Sequence, residues 1–293
     1  MSDTTASLRR KIDTAGDLRS VVRTMKALAA SNIGQYERSV RALADYTRTV
    51  ELGLSICFGR NAPIMETAPR QAEVMVNAVV FGSDQGLVGR FNDVLADFVV
   101  QALADLPGKT RIWAVGERVH DRLADAGMTL AGLLAVPASV QAITPLVGQI
   151  LVENEAGLSA GSDLHLFHNR PTTGAVYLPV QQRLLPLDHA WRSELAQRPW
   201  PSRNLPEVMP HLTGDASTLR ALIREYLFVS LFRACAESLA SENASRLAAM
   251  QRADKNIAEL LEGLNGTFHR LRQSGIDEEL FDVVSGFEAL AKQ

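Results

Sequence analysis

The stretch "FGSDQGLVGRFND" at 81–93 comes closest in this sequence to a motif that carries chemistry, because a strand-like run leads through Gly82, Gly86 and Gly89 into a helix-like one. Gly-rich turns at helix N-termini cradle phosphate with backbone N–H groups. The glycine spacing follows neither GxGxxG nor GxxxxGK[ST], so a tight strand-to-helix turn is expected in preference to a nucleotide site. His165 and His168 invite a metal, but residues three apart on a strand point to opposite faces and cannot chelate together. They are expected to be sheet histidines. Ser83 beside Asp84 has no histidine near it in sequence, so no serine triad can be assembled. Asp277, Glu278 and Glu279 offer carboxylates on a helix without a pocket, the pattern of a solvated face. No catalytic constellation emerges, and no metal or cofactor is called for.

Length, composition and charge bound the possible classes. The chain of 293 residues is 46% hydrophobic, with a formal net charge of -3 and a pI near 6.1. That is enough apolar matter for a core, and it is not the basic body of a dedicated nucleic-acid binder. Charge is uneven: residues 1–60 carry 10 Lys/Arg against 6 Asp/Glu, whereas 61–214 carry 11 against 15 and 215–293 carry 9 against 12. Two cysteines, Cys57 and Cys235, fit a reduced compartment. The opening "MSDTTASLRRKID" lacks the apolar core of a signal peptide, and no run reaches the roughly 18 apolar residues of a membrane span. A protein on the cytoplasmic side is expected.

The elements that must position these residues are marked off by proline. All 12 prolines lie between Pro63 and Pro210. Long unbroken helices are therefore allowed at both ends and disfavoured in the middle. In the front arm, Ile12, Ala15, Leu18, Val22, Met25, Ala29, Ile33, Tyr36, Val40, Leu43, Tyr46, Val50 and Leu54 recur at steps of 3 or 4. In the back arm, Leu219, Leu222, Tyr226, Val229, Ala236, Ala240, Leu247, Met250, Ile257, Leu261, Leu264, Phe268 and Leu271 do much the same. At about 1.5 Å per residue, helices this long exceed a compact domain, so the spacing predicts a coiled coil. Between the arms, strands are expected at 73–82, 110–116, 163–170 and 175–187, with helices near 90–105, 117–126 and 139–157. That order argues a small parallel or mixed α/β sheet. The expected organisation is a helix over 1–60, an α/β domain over 70–190, a Pro-rich linker over 191–214 and a helix over 215–293.

Both arms join the middle domain at its edge, so an antiparallel pair matches positions summing to about 272. Residue 8 then faces residue 264, and the helix beyond Leu264 has no partner within the chain and must be held by another protein. In the same register Cys57 and Cys235 sit far apart along the pair, and no disulfide is expected.

"TMKALAAS" (24–31), "FGSDQGLVGRFN" and "ASENASRLAAMQRADKNIAEL" (240–260) followed by "RQSGIDEELFDVVSG" (272–286) resemble signatures of the gamma subunit of rotary F-type ATP synthases. The resemblance implies a long antiparallel coiled coil of the terminal helices plus a small central Rossmann-like α/β domain, acting as a non-catalytic rotor shaft. It implies three alpha and three beta subunits around the coil, and an epsilon subunit and a ring of c subunits at the foot. No nucleic acid is implied, and the membrane is met only through the complex, at its cytoplasmic face. It also implies that Met25, Arg246, Arg272, Gln273, Asp277 and Glu279 are the positions that contact the beta subunits; Asp277 stands where the family often has Thr. After "ALAAS" the family usually carries a basic cluster, but here the run is "NIGQYER", which shifts any electrostatic catch to Arg38 and Arg41. Arg38→Ala is then expected to alter ATPase coupling more than Arg60→Ala. The reading that competes is a small nucleotide-binding α/β protein with a dimerising coiled coil.

Overall fold

A computed structural model describes residues 4–59, 75–159, 163–172, 176–204 and 215–291. It divides into a helical unit, residues 1–29 with 246–293, and an α/β unit, residues 30–245. Two helices, α1 (Thr5–Gly59) and α6 (Asp215–Ala291), contribute to both.

In the α/β unit, five strands form one sheet in the order β3-β2-β1-β4-β5. These are β1 (Met75–Phe81), β2 (Lys109–Val115), β3 (Leu130–Leu134), β4 (Asp163–Arg170) and β5 (Leu178–Leu185). The first four run parallel, and β5 pairs antiparallel with β4 at one edge. Pro179 falls on β5, where an edge strand tolerates its missing N–H. The crossovers are α2 (Phe91–Ala104), α3 (Glu117–Asp125) and α4 (Ile143–Ser159), the last preceded by a 3-10 turn at Val140–Ala142.

Alternation along the strands sends side chains to two cores. On one face Val76, Ala78, Val80, Ile112, Ala114 and Phe167 pack under Leu95, Val99, Val119 and Leu123 of α2 and α3. On the other, Val79, Phe81, Trp113, Val115 and Leu166 meet α4 and the Leu227–Ala240 part of α6, with Tyr36 of α1. β1 and β4, at the centre of the sheet, are buried on both faces, which explains why β1 reads as a continuous apolar run; β3 and β5, at the edges, are mostly half-buried or exposed.

Two elements differ from the sequence expectation. β3, the sequence LAGLL, has no alternation and a central glycine, so nothing local marks it as a strand. It pairs because Trp113 of β2 lies flat against Gly132, where any Cβ would collide with the indole ring. Ahead of the Pro-rich stretch, α5 (His189–Gln197) is a helix capped by Asp188, whose Oδ1 accepts from Ala190 N at 3.1 Å. It buries Leu195 against Val50 and Leu54 of α1, and its Trp191 packs on Tyr226 with ring centroids 4.8 Å apart.

The terminal helices pair antiparallel within each unit. In the helical unit Ala15 and Val22 are buried with Met250 and Ile257, and Arg19 bonds Asp254. In the α/β unit Asn32 meets Asn243 at 3.3 Å, and Tyr46 donates to Glu225 at 2.6 Å. These pairs fall within a few residues of the register read from the sequence. Along α1 the buried positions Leu8, Ala15, Val22, Ala29, Tyr36, Val50 and Cys57 recur in steps of seven or its double, the heptad period of helices that supercoil; Leu54 and Ser55 are buried outside that step. Leu18 and Tyr46, which the sequence stripe includes, lie outside this narrower seam and are exposed. Both cysteines are buried, and neither is in a disulfide.

Candidate functional site

Among doubly wound sheets, ligands bind outside the carboxyl ends of the strands where the strand order reverses, here between β1 and β4. In this chain α6 lies across that point. Ser238 Oγ donates to Phe81 O at the end of β1 at 2.9 Å, and Ser241 Oγ donates to Asn169 O near the end of β4 at 3.0 Å. Ser245 Oγ donates to Val88 O in the Gly-rich turn. The serines recur at steps of 3 and 4, so one helical face carries all three. That spacing was available in the sequence, and it went unread.

The turn itself is held shut by its own side chains. Ser83 N donates to Asn92 Oδ1 at 3.0 Å, and Asn92 Nδ2 donates back to Ser83 Oγ at 2.8 Å. The Asp84 carboxylate accepts from Glu117 N and from Val136 N, both at 3.0 Å. It therefore ties the Gly-rich turn to the first amide of α3 and to the chain after β3. Gly82 is required because a Cβ there would collide with Val119 of α3. Close packing thus accounts for Gly82 and a left-handed φ of 61° for Gly89, while open space surrounds the place of a Cβ on Gly86.

His165 and His168 are both buried and sit on β4, facing opposite sides of the sheet. His165 Nδ1 pairs with Gln181 Nε2 at 2.9 Å. His168 Nε2 lies 2.8 Å from Glu237 Oε2 of α6. Glu237 also accepts from Arg170 Nε at 2.9 Å and Arg233 Nε at 2.8 Å. Burial alone would raise the Glu237 carboxyl, but these donors outweigh it and hold it at about 2. Among the described residues no group of three or more His, Cys, Asp or Glu side chains is placed to hold a metal ion. No described helix is long and apolar enough to cross a membrane.

All six positions implied to contact a partner fall in the helical unit. Met25 is half-buried against the cluster of Ala15, Val22, Met250 and Ile257. Arg246 is half-buried on α6. Arg272, Gln273, Asp277 and Glu279 are exposed, further along α6. There the side chains from His269 to Ser285 are exposed, apart from the half-buried Gly275. Apolar residues dominate one side of this segment: Leu280 is 62% exposed and Phe281 70%, with Ile276, Val283 and Val284 also open. At 3.6 residues per turn, Ile276, Leu280 and Val283 form one stripe, with Arg272 and Glu279 on one flank and Gln273 and Asp277 on the other.

A second charged feature of this unit escaped the sequence reading. Asp254 meets Arg19 Nε at 2.9 Å, Arg23 Nε at 3.4 Å and Lys26 Nζ at 3.5 Å. The Arg19 hydrogen bond, aided by the other cations, outweighs desolvation and holds the Asp254 carboxyl below its usual range. Arg38 Nε bonds Gly34 O of its own helix at 2.9 Å on the exposed surface; Arg60 lies outside the described residues.

A family model described as ATP synthase matches residues 4–290. The ATP synthase gamma chain of Clavibacter sepedonicus is 30% identical over 297 residues, covering 96% of each chain. That of Syntrophobacter fumaroxidans is 25% identical over 303 residues, covering 99% of each. Among solved structures, a chain of the Euglena gracilis mitochondrial ATP synthase OSCP/F1/c-ring assembly superposes with a TM-score of 0.60 at 17% identity, covering 98% of this chain and 94% of that one. A chain from the central stalk and c-ring of the Tetrahymena thermophila mitochondrial enzyme gives 0.56 at 18% identity, covering 80% of this chain and 99% of that one. A family match along nearly the whole length, with a relative at 30% identity over nearly all of both chains, places this chain in the ATP synthase gamma-chain family.

Proposed function

We propose that this chain is the central-stalk shaft of an F-type ATP synthase, turning inside a ring of three alpha and three beta subunits and resting with an epsilon subunit on a ring of c subunits. The shaft does no chemistry of its own. It passes torque between ion movement through the membrane ring and ATP synthesis or hydrolysis on other subunits, at the cytoplasmic face of the membrane. The observation that carries this reading is the exposed end of α6. A helix with its apolar stripe of Ile276, Leu280 and Val283 open to solvent is normally covered in the working state. The turn where a nucleotide enzyme of this topology would bind its ligand is instead crossed by the α6 serines.

In this role Arg272, Gln273, Asp277 and Glu279 flank the stripe as polar contacts to beta subunits, while Met25 and Arg246 contact them lower on the helical pair. The domain reading assigns 1–60 and 215–293 to the shaft, 70–190 to the foot and 191–214 to the return linker. The test is to tag the amino terminus, purify gently from the native cells, and measure native mass and ATPase activity. One copy of the chain with three copies each of two larger subunits, hydrolysing ATP, is the expected result. A lone or homodimeric protein would overturn the reading.

A further inference from the structure

His168 is 1% exposed, yet charge surrounds it. Glu237 and Arg233 reach it from α6, and Arg170 from its own strand. β1 sets Phe81 beside it and β5 sets Val180, neither of them ionisable. Glu237 is bound by two arginines and ionised, so it only accepts, and the ring must carry its hydrogen on Nε2. Nδ1 is buried and has no hydrogen-bond partner among the described residues. A bare lone pair is tolerable there. A second N–H would be a buried donor without an acceptor, and the ring would become a third cation around one carboxylate.

We propose that His168 makes the junction between β4 and α6 acid-labile: proton uptake on Nδ1 expels the imidazole from its place on the Glu237 carboxylate, beside the two arginines, and opens the packing of α6 on the sheet. Burial lowers the basicity of His168 further than Glu237 raises it, with Arg170 and Arg233 adding to the lowering. The sign follows. Below the ordinary histidine value of 6.5, the opened form binds a proton that the closed form refuses, so acid favours opening until the closed form also titrates. One proton changes the opening equilibrium by at most about tenfold per pH unit. The consequence, a shaft helix that loosens from the foot in acid, rests on the rotor reading. The measurement does not.

Hydrogen exchange on the isolated full-length chain, from about pH 7.5 to about pH 5 and corrected for intrinsic exchange, reads opening at β4 and at residues 231–241. His168→Gln keeps an amide donor for Glu237 and takes up no proton. Opening in the unmodified chain should climb below pH 6.5 more steeply than in H168Q, by up to about tenfold per pH unit. His165, buried on the opposite face of β4, contributes equally to both proteins and cancels. Equal slopes overturn the proposal. Should H168Q fail to fold, the NMR titration of the His168 ring decides: a midpoint below 6.5 supports the proposal, and one at or above 6.5 overturns it.

Discussion

One carboxylate, that of Glu237, joins β4 to α6 through His168, Arg170 and Arg233. Glu237→Ala would leave these donors unmatched beside a buried imidazole. A loss of about 3 kcal/mol is expected in urea unfolding. Its depressed carboxyl also sets an acid window. The stabilisation is complete above the ordinary carboxyl value of 4.5 and is lost as pH falls toward about 2. The stability of Glu237→Gln should therefore depend less on pH across that window, as read by denaturant midpoints. At the exposed end of α6, Arg272→Ala and Glu279→Gln change side chains that lie open to solvent. Each is expected to change stability by under about 0.5 kcal/mol while lowering ATPase coupling in the assembled complex. Equal coupling with and without them would remove these residues from the beta contact. Arg38→Ala against Arg60→Ala in the same assay locates the basic catch.

At the scale of elements, the helices were legible because their signals are local: heptad spacing, no proline, small residues on one face. Gly34 of α1 departs from that rule and nothing packs on it, with no atom within 4 Å of where a Cβ would stand. Gly34→Ala is expected to raise the stability of the isolated chain by about 0.5 to 1 kcal/mol in thermal melts. Gly132→Ala should do the reverse, because its Cβ runs into Trp113. The contrast explains why β3 was missed. Its strand character lies in the indole pressed on it from β2, and the five residues themselves do not display it. The expected linker hid α5 for a related reason: Pro199 and Pro201 dominate the composition, while the Asp188 cap and the burial of Leu195 on α1 make the helix.

For the molecule as a whole, truncation after Leu271 is a direct trial of the division of labour. Apart from the half-buried Gly275, the side chains from Arg272 to Ser285 are exposed, so the α/β unit should melt unchanged within about 0.5 kcal/mol. Rotary coupling in the complex should fail. A truncated chain that couples normally would deny the tip its role. What the sequence determined by itself was whatever depends on period and composition. That includes the two long helices and their antiparallel register, the strand-helix alternation, the lack of a phosphate-loop spacing, and the signatures at 24–31, 81–92 and 240–286 that point to the gamma family. The tertiary structure decided which atoms meet. It put Ser238, Ser241 and Ser245 across the strand ends, Asp84 on the amide of α3, His168 against Glu237, and three cations around Asp254. Periodicity tells which face of a helix is buried, because burial repeats with the turn. A hydrogen bond between residues lying 33 to 235 positions apart depends on where two elements cross, and no local pattern records that.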